Sequence, residues 1–131
     1  MYSLSKYEMS ETGVLHLRDA ADNLMYADGA DGKPDPTKPM RAHLYGPGSK
    51  QYAKAQNARQ NHYVDLLKNK GKTKESAEDA MRSQAEFLAA CTQSLENIDE
   101  APIDVYTNVK LSFIPTQIGV WLNETANFTN G

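Results

Sequence analysis

From Thr73 to Ile98 the sequence reads TKESAEDAMRSQAEFLAACTQSLENI, and its apolar residues fall at alternating steps of three and four. Ala77, Met81, Leu88, Cys91, Leu95 and Ile98 share this register, with Gln84 as the one polar gap. A period of about 3.6 residues puts all of them on one stripe, so the spacing predicts a single amphipathic helix across the stretch. Thr73 is suited to cap its start, and Glu75, Glu78 and Asp79 suit the positive end of the helix dipole. Asp99 to Pro102 breaks the pattern.

Working upstream, Ser49 is placed to cap a second helix that runs to about Asn69 and stops at Gly71. Tyr52, Ala55, Tyr63, Leu66 and Leu67 form its stripe, interrupted by Arg59. Only Lys70 to Lys72 separates the two helices, so they are expected to form an antiparallel helical hairpin over 49–98. Before it lies a β portion over 13–45. Gly13 to Arg18 alternates in polarity, and Asn23 to Tyr26 offers a second short run after Asp19 and Asp22, which reads as a hairpin. Met40 to Tyr45 alternates again, with Met40, Ala42 and Leu44 on one face. Between them, Asp28 to Pro39 carries Pro34, Pro36 and Pro39 with Gly29 and Gly32, the composition of a surface loop. Residues 1–12 are polar with scattered Tyr2, Leu4, Tyr7 and Met9, and read either as a flexible arm or as a segment that docks late.

Working downstream, 103–125 holds the C-terminal helices. Ser112 can cap the last one, Pro115 falls in its first turn, and Ile114, Ile118, Trp121 and Leu122 share a side. Residues 126–131 read as a tail. The fold class is therefore α+β and mainly α, one domain of 131 residues with short N-terminal strands, a helical hairpin and a C-terminal helix. A chain of this length buries enough surface for one core.

Composition narrows the chemistry. The formal net charge of −3 argues against nucleic acid as the default partner, and no apolar run approaches the length of a membrane span. Cys91 is the only cysteine and lies on the apolar stripe, the place of a buried small hydrophobe. His16, His43 and His62 lack zinc-site spacing, and Asp28, Asp31 and Asp35 fail the EF-hand pattern. Gly46-Pro47-Gly48-Ser49-Lys50 precedes a helix but lacks P-loop spacing, and no nucleophile elbow is present. These readings predict no enzyme, no cofactor and no metal.

Charge is unevenly spread. Residues 48–75 hold seven cations against two carboxylates, and residues 76–104 hold one cation against seven carboxylates. Opposite halves can neutralise one another within the helical pair or between copies, and the second option predicts self-association.

The runs FLAACT at 87–92, YTN at 106–108 and FIPTQIGVWLNETANF at 113–128, with DGKP at 31–34 and YGPGSKQY at 45–52, resemble the tail assembly chaperones of long-tailed bacteriophages and their prophages. That resemblance spans most of the chain from about Val14. It implies a non-enzymatic assembly factor of the host bacterial cytoplasm that binds the tape measure protein, helps recruit tail tube protein, and is absent from the mature virion. Such a client is a long helix, which calls for apolar surface on helices and several copies. Phe113, Ile114, Ile118, Trp121, Leu122 and Phe128 supply the expected partner interface, since aromatic residues dominate binding hot spots. The same residues also read as the closure of the core. Two other functions fit the sequence: a head-tail adaptor or minor phage structural protein, and a small nucleic-acid-binding regulator using the basic helix from Ser49.

Overall fold

The structure, a computed structural model, describes residues 4–68 and 77–129. The fold is mixed α+β. Three strands form an antiparallel sheet in the order β1 (Thr12–His16), β4 (Arg41–Tyr45), β5 (Thr92–Glu96), and β2 (Tyr26–Asp28) pairs antiparallel with β3 (Pro34–Pro39) in a second. Four α-helices, α1 (Lys50–Lys68), α2 (Ala77–Ala90), α3 (Pro102–Tyr106) and α4 (Phe113–Leu122), and three short 3₁₀ turns complete the described chain.

β4 organises the sheet. Its alternation buries Ala42 and Leu44 completely, and Leu17, just beyond β1, joins them in the core. Val14 faces His43 and Leu15 faces Ala42 across β1 and β4, which pair in unbroken register. The other edge of β4 is taken by β5, so the helix predicted over 73–98 is corrected: it ends at Ala90. Two physical causes end it. The Cys91 N–H is shared between the carbonyls of Phe87 and Leu88, a tightened last turn, and the Cys91 carbonyl then accepts from the Tyr45 N–H of the sheet. An irregularity after Leu44↔Thr92, where His43 pairs with Ser94, passes over Gln93. Leu95, opposite Ala42, thus reaches the core side as part of a strand rather than a helix. The proposed Thr73 cap, Glu75 and the link at Lys70 to Lys72 lie outside the described residues.

The expected hairpin of 13–18 with 23–26 is also corrected. Those runs form no ladder: they meet at the bridge Arg18↔Leu24, through the Met25 N–H on the Leu17 carbonyl and through His16 against Met25 and Tyr26, since β1 is committed to β4. Asp19 shapes the turn by accepting the N–H groups of Ala21 and Asn23. The loop expected over 28–39 contains strand β3, which prolines tolerate because it lies at an edge, and Gly32 supplies the positive φ of +74° in its turn.

Ser49 caps α1: its hydroxyl accepts from the Tyr52 N–H at 3.1 Å and donates to the Gly46 carbonyl at 2.7 Å. Helix α1 meets α2 with Tyr52 beside Phe87 and Arg59 beside Gln84, so the two run in opposite senses. Helix α4 starts with no side-chain bond from Ser112, contrary to the expected cap. It buries Ile114, Ile118 and Leu122, each worth about 1.5–3 kcal/mol of hydrophobic transfer. Gln117 ties it to the sheet side by accepting the Arg18 N–H at 2.9 Å and donating to the Arg18 carbonyl at 2.8 Å. The expected C-terminal tail is corrected in its described part: Thr125–Phe128 forms a 3₁₀ turn and Phe128 is fully buried. The N-terminal arm joins it, since the Ser10 N–H donates to the Phe128 carbonyl.

Candidate interaction surface

The six residues expected to form a partner interface divide sharply. Ile114, Ile118, Leu122 and Phe128 lie in the core, with 3% exposure at most, while Phe113 and Trp121 are half-buried. Glycines explain where the aromatics go. Gly46, following β4, lies under the Phe128 ring, and a Cβ on Gly13 would stand 2.6 Å from Trp121 Cη2. The two glycines make a flat socket that side chains would fill. Trp121 and Phe128 close over it edge to face, with ring centroids 5.0 Å apart. This apolar material therefore seals segment 121–128 onto β1 and the turn after β4, and of the six only Phe113 and Trp121 keep surface for a partner.

The open apolar surface lies on the next face of α4. Helices α2 and α4 leave a groove of about 410 Å³ between them. Met81, Ala85 and Leu88 line it from α2, and Pro115, Gly119 and Val120 from α4. No charged side chain lines it. Val120 is 69% exposed at its edge, and Gly119 lines it with room to spare, since a Cβ there would still stand 3.9 Å from Gln84 Nε2. Gln84, the polar gap in the helical stripe, is thus a rim residue whose Oε1 accepts from Arg59. That gap was the one sequence signal of the groove.

A second pocket, of about 460 Å³, opens where the β2–β3 pair meets the segment after β5. Val105 and Ile114 form its buried floor, and the half-buried Met25, Met40, Ile98 and Leu111 its walls. Asn97, at φ 61°, turns the chain out of β5 and donates to the Pro39 carbonyl at 2.8 Å, which sets Ile98, Asp99 and Glu100 at the mouth. None of these wall residues was singled out by the sequence for binding, because they come from four separate segments.

The remaining candidate groups are engaged one by one. His16 bonds the Met25 carbonyl at 2.8 Å, His43 donates to Glu96 Oε1 at 2.7 Å, and His62 lies beside Tyr63, so the three histidines do not meet. Asp31 and Asp35 accept N–H groups of their own turns, from Lys33 and Thr37, and the Thr37 bonds hold the Asp35 carboxyl below its ordinary range. Among the described residues no group of His, Cys, Asp or Glu could hold a metal ion. Burial pushes the Cys91 thiol up to about 11 and the Tyr106 phenol up to about 12, so neither ionises near neutrality. The Gly46-Pro47-Gly48 turn is packed on its glycine side by Phe128 and presents no open phosphate cradle there. Arg59 stacks 3.9 Å from the centroid of Phe87 and bonds Gln56 and Gln84, so the basic helix spends its central cation internally. Among the described residues no helix is long and apolar enough to cross a membrane.

No family model matches the chain, and no curated protein or solved structure matches it either.

Proposed function

We propose that this chain is a phage tail assembly chaperone, a non-enzymatic binding module that holds a helical segment of the tape measure protein and helps recruit tail tube subunits in the host cytoplasm. The observation that carries the reading, beside the sequence resemblance, is the uncharged groove between α2 and α4. It is apolar, open and walled by two helices, which suits an amphipathic helix laid along it. The interface accordingly moves from the buried residues of α4 to Val120, Gly119 and Met81, with Phe113 and Trp121 at the flank.

The test is co-expression with the tape measure protein of the same genome, followed by co-purification and light scattering. Wild type is expected to keep the client soluble. Val120→Asp sits on an exposed position, so it is expected to leave the circular dichroism spectrum unchanged and to lose most of the client. Failure of wild type to retain the client overturns the reading. So does finding this protein in purified virions, which favours the head-tail adaptor.

A further inference from the structure

We propose that the outer edge of β1 is a self-association edge, onto which β1 of a second copy of this chain adds antiparallel about a two-fold axis at Leu15.

Which backbone groups face that edge follows from the ladder. The Leu17 N–H donates to the Met40 carbonyl and the Gly46 N–H to the Glu11 carbonyl, so Glu11 and Leu17 turn their peptide groups toward β4. Alternation turns Gly13 and Leu15 the same way, and it leaves the N–H and C=O groups of Thr12, Val14, His16 and Arg18 on the outer edge. Both ends of that edge are stoppered. Gln117 holds the N–H and C=O of Arg18 as a neighbouring strand would, at 2.9 and 2.8 Å, and the Ser10 hydroxyl donates to the Thr12 carbonyl at 2.6 Å. Between the stoppers lie Val14 and His16, whose outward peptide groups have no hydrogen-bond partner among the described residues. Val14 is 48% exposed.

The other strand edges are defended against pairing. β3 carries Pro34, Pro36 and Pro39 with Lys38, β2 is short and ends on Asp28, and β5 is broken by the irregularity at Gln93 and ends on Glu96. Short length, charge, proline and bulges are the devices that keep edges from joining. β1 reads TGVLH and has none of them: its register is unbroken, and it holds no Asp, Glu, Lys, Arg or Pro.

The occupant follows from the same residues. With Leu15 on the axis, an antiparallel copy of β1 sets Val14 against His16 of the second copy and His16 against Val14 of the second copy. The open groups of each strand then meet the open groups of the other, and the stoppered residues are not needed. A strand without fixed charge meets itself without repulsion. On the core side this register brings together the half-buried Leu15 of both copies, near the half-buried Trp121 that lies over Gly13. Both copies use the same edge, so association closes at the dimer.

Size-exclusion chromatography with light scattering of the chain alone reads the association, with no client present, so the outcome is independent of the tail-assembly reading. Hydrogen exchange resolved to single amides reads the edge. The mass is expected to double with concentration and to rise no further. The Val14 and His16 amides are expected to exchange on the order of tenfold or more slowly in the dimer than in dilute protein, while Gly13 and Leu15, bonded to β4, are protected in both. Val14→Lys sits on an exposed position and keeps the β1–β4 bonds, so it is expected to retain the wild-type circular dichroism spectrum. The two-fold counts its charge twice, and dimerisation is expected to weaken on the order of tenfold or more. A wild type that stays monomeric at every concentration, a dimer whose Val14 and His16 amides exchange as in the monomer, or Val14→Lys dimerising as wild type does, overturns the proposal. If Val14→Lys does not fold, the exchange pattern of wild type still decides.

Discussion

Gly46 is the position where one hydrogen atom matters most. A methyl there collides with the Phe128 ring, which is fully buried and has no room to retreat. Gly46→Ala is therefore expected to destabilise the fold by about 1–3 kcal/mol, read as a lower urea midpoint. At the other face of the sheet, Glu96 accepts from His43 across β4 and β5, with Arg41 at 3.9 Å. The His43 hydrogen bond, aided by the Arg41 charge against a smaller opposing effect of burial, holds the Glu96 carboxyl below its ordinary 4.5. Because the folded value is the lower one, this pairing stabilises the protein at pH above about 4.5 and the contribution fades as pH falls through the lowered value. Glu96→Gln is expected to reduce the urea midpoint at neutral pH and to match wild type in acid. A constant difference across the whole range would show that Glu96 acts by packing alone.

Between α2 and β5 the chain changes from helix to strand within two residues, and Thr92 stands at that corner. Its hydroxyl donates to the Leu88 carbonyl at 2.8 Å, so the Tyr106 hydroxyl, also 2.8 Å away, is the donor of the second bond. Helix α2, strand β5 and helix α3 thus share one buried oxygen. Thr92→Val leaves Tyr106 without an acceptor and is expected to cost about 1–3 kcal/mol. Tyr106→Phe in that background is expected to recover part of the loss, and a double-mutant cycle by urea denaturation measures the coupling. This corner also explains why the sequence misleads there. Cys91 and Leu95 are inward under a helical period, and Leu95 is inward again once the chain passes over Gln93 in a strand, so apolar spacing alone does not separate the two. What decides is the open edge of β4, a partner distant in sequence. By contrast, the Ser49 cap and the alternation of Ala42 and Leu44 are local signals, and both were readable.

Over the whole molecule, the class of fold was legible because composition and local periods are additive along the chain. The candidate surface was less so. Counting apolar residues in 113–128 left two uses open, partner interface and core closure, because the pairing of Phe128 and Trp121 with Gly13 and Gly46 joins positions far apart in sequence. The acidic-mouthed pocket was invisible for the same reason: Met25, Met40, Ile98 and Leu111 are unremarkable until the fold gathers them. Tyr63 and Leu67 of α1 mislead in the opposite way, because their spacing reads as core and both are exposed.

The joining of Ser10 to Phe128 carries a consequence for synthesis. A ribosome delivers the glycine socket early and its aromatic lid late. At about 5–20 residues per second, the segment from Pro47 to Phe128 takes roughly 4–16 s to translate. Throughout that interval the nascent β1–β4 pair presents bare backbone where Trp121 and Phe128 will later sit. The seam therefore closes only after Trp121 and Phe128 have been made, and a chain cut short before Trp121 would be left with it unzipped.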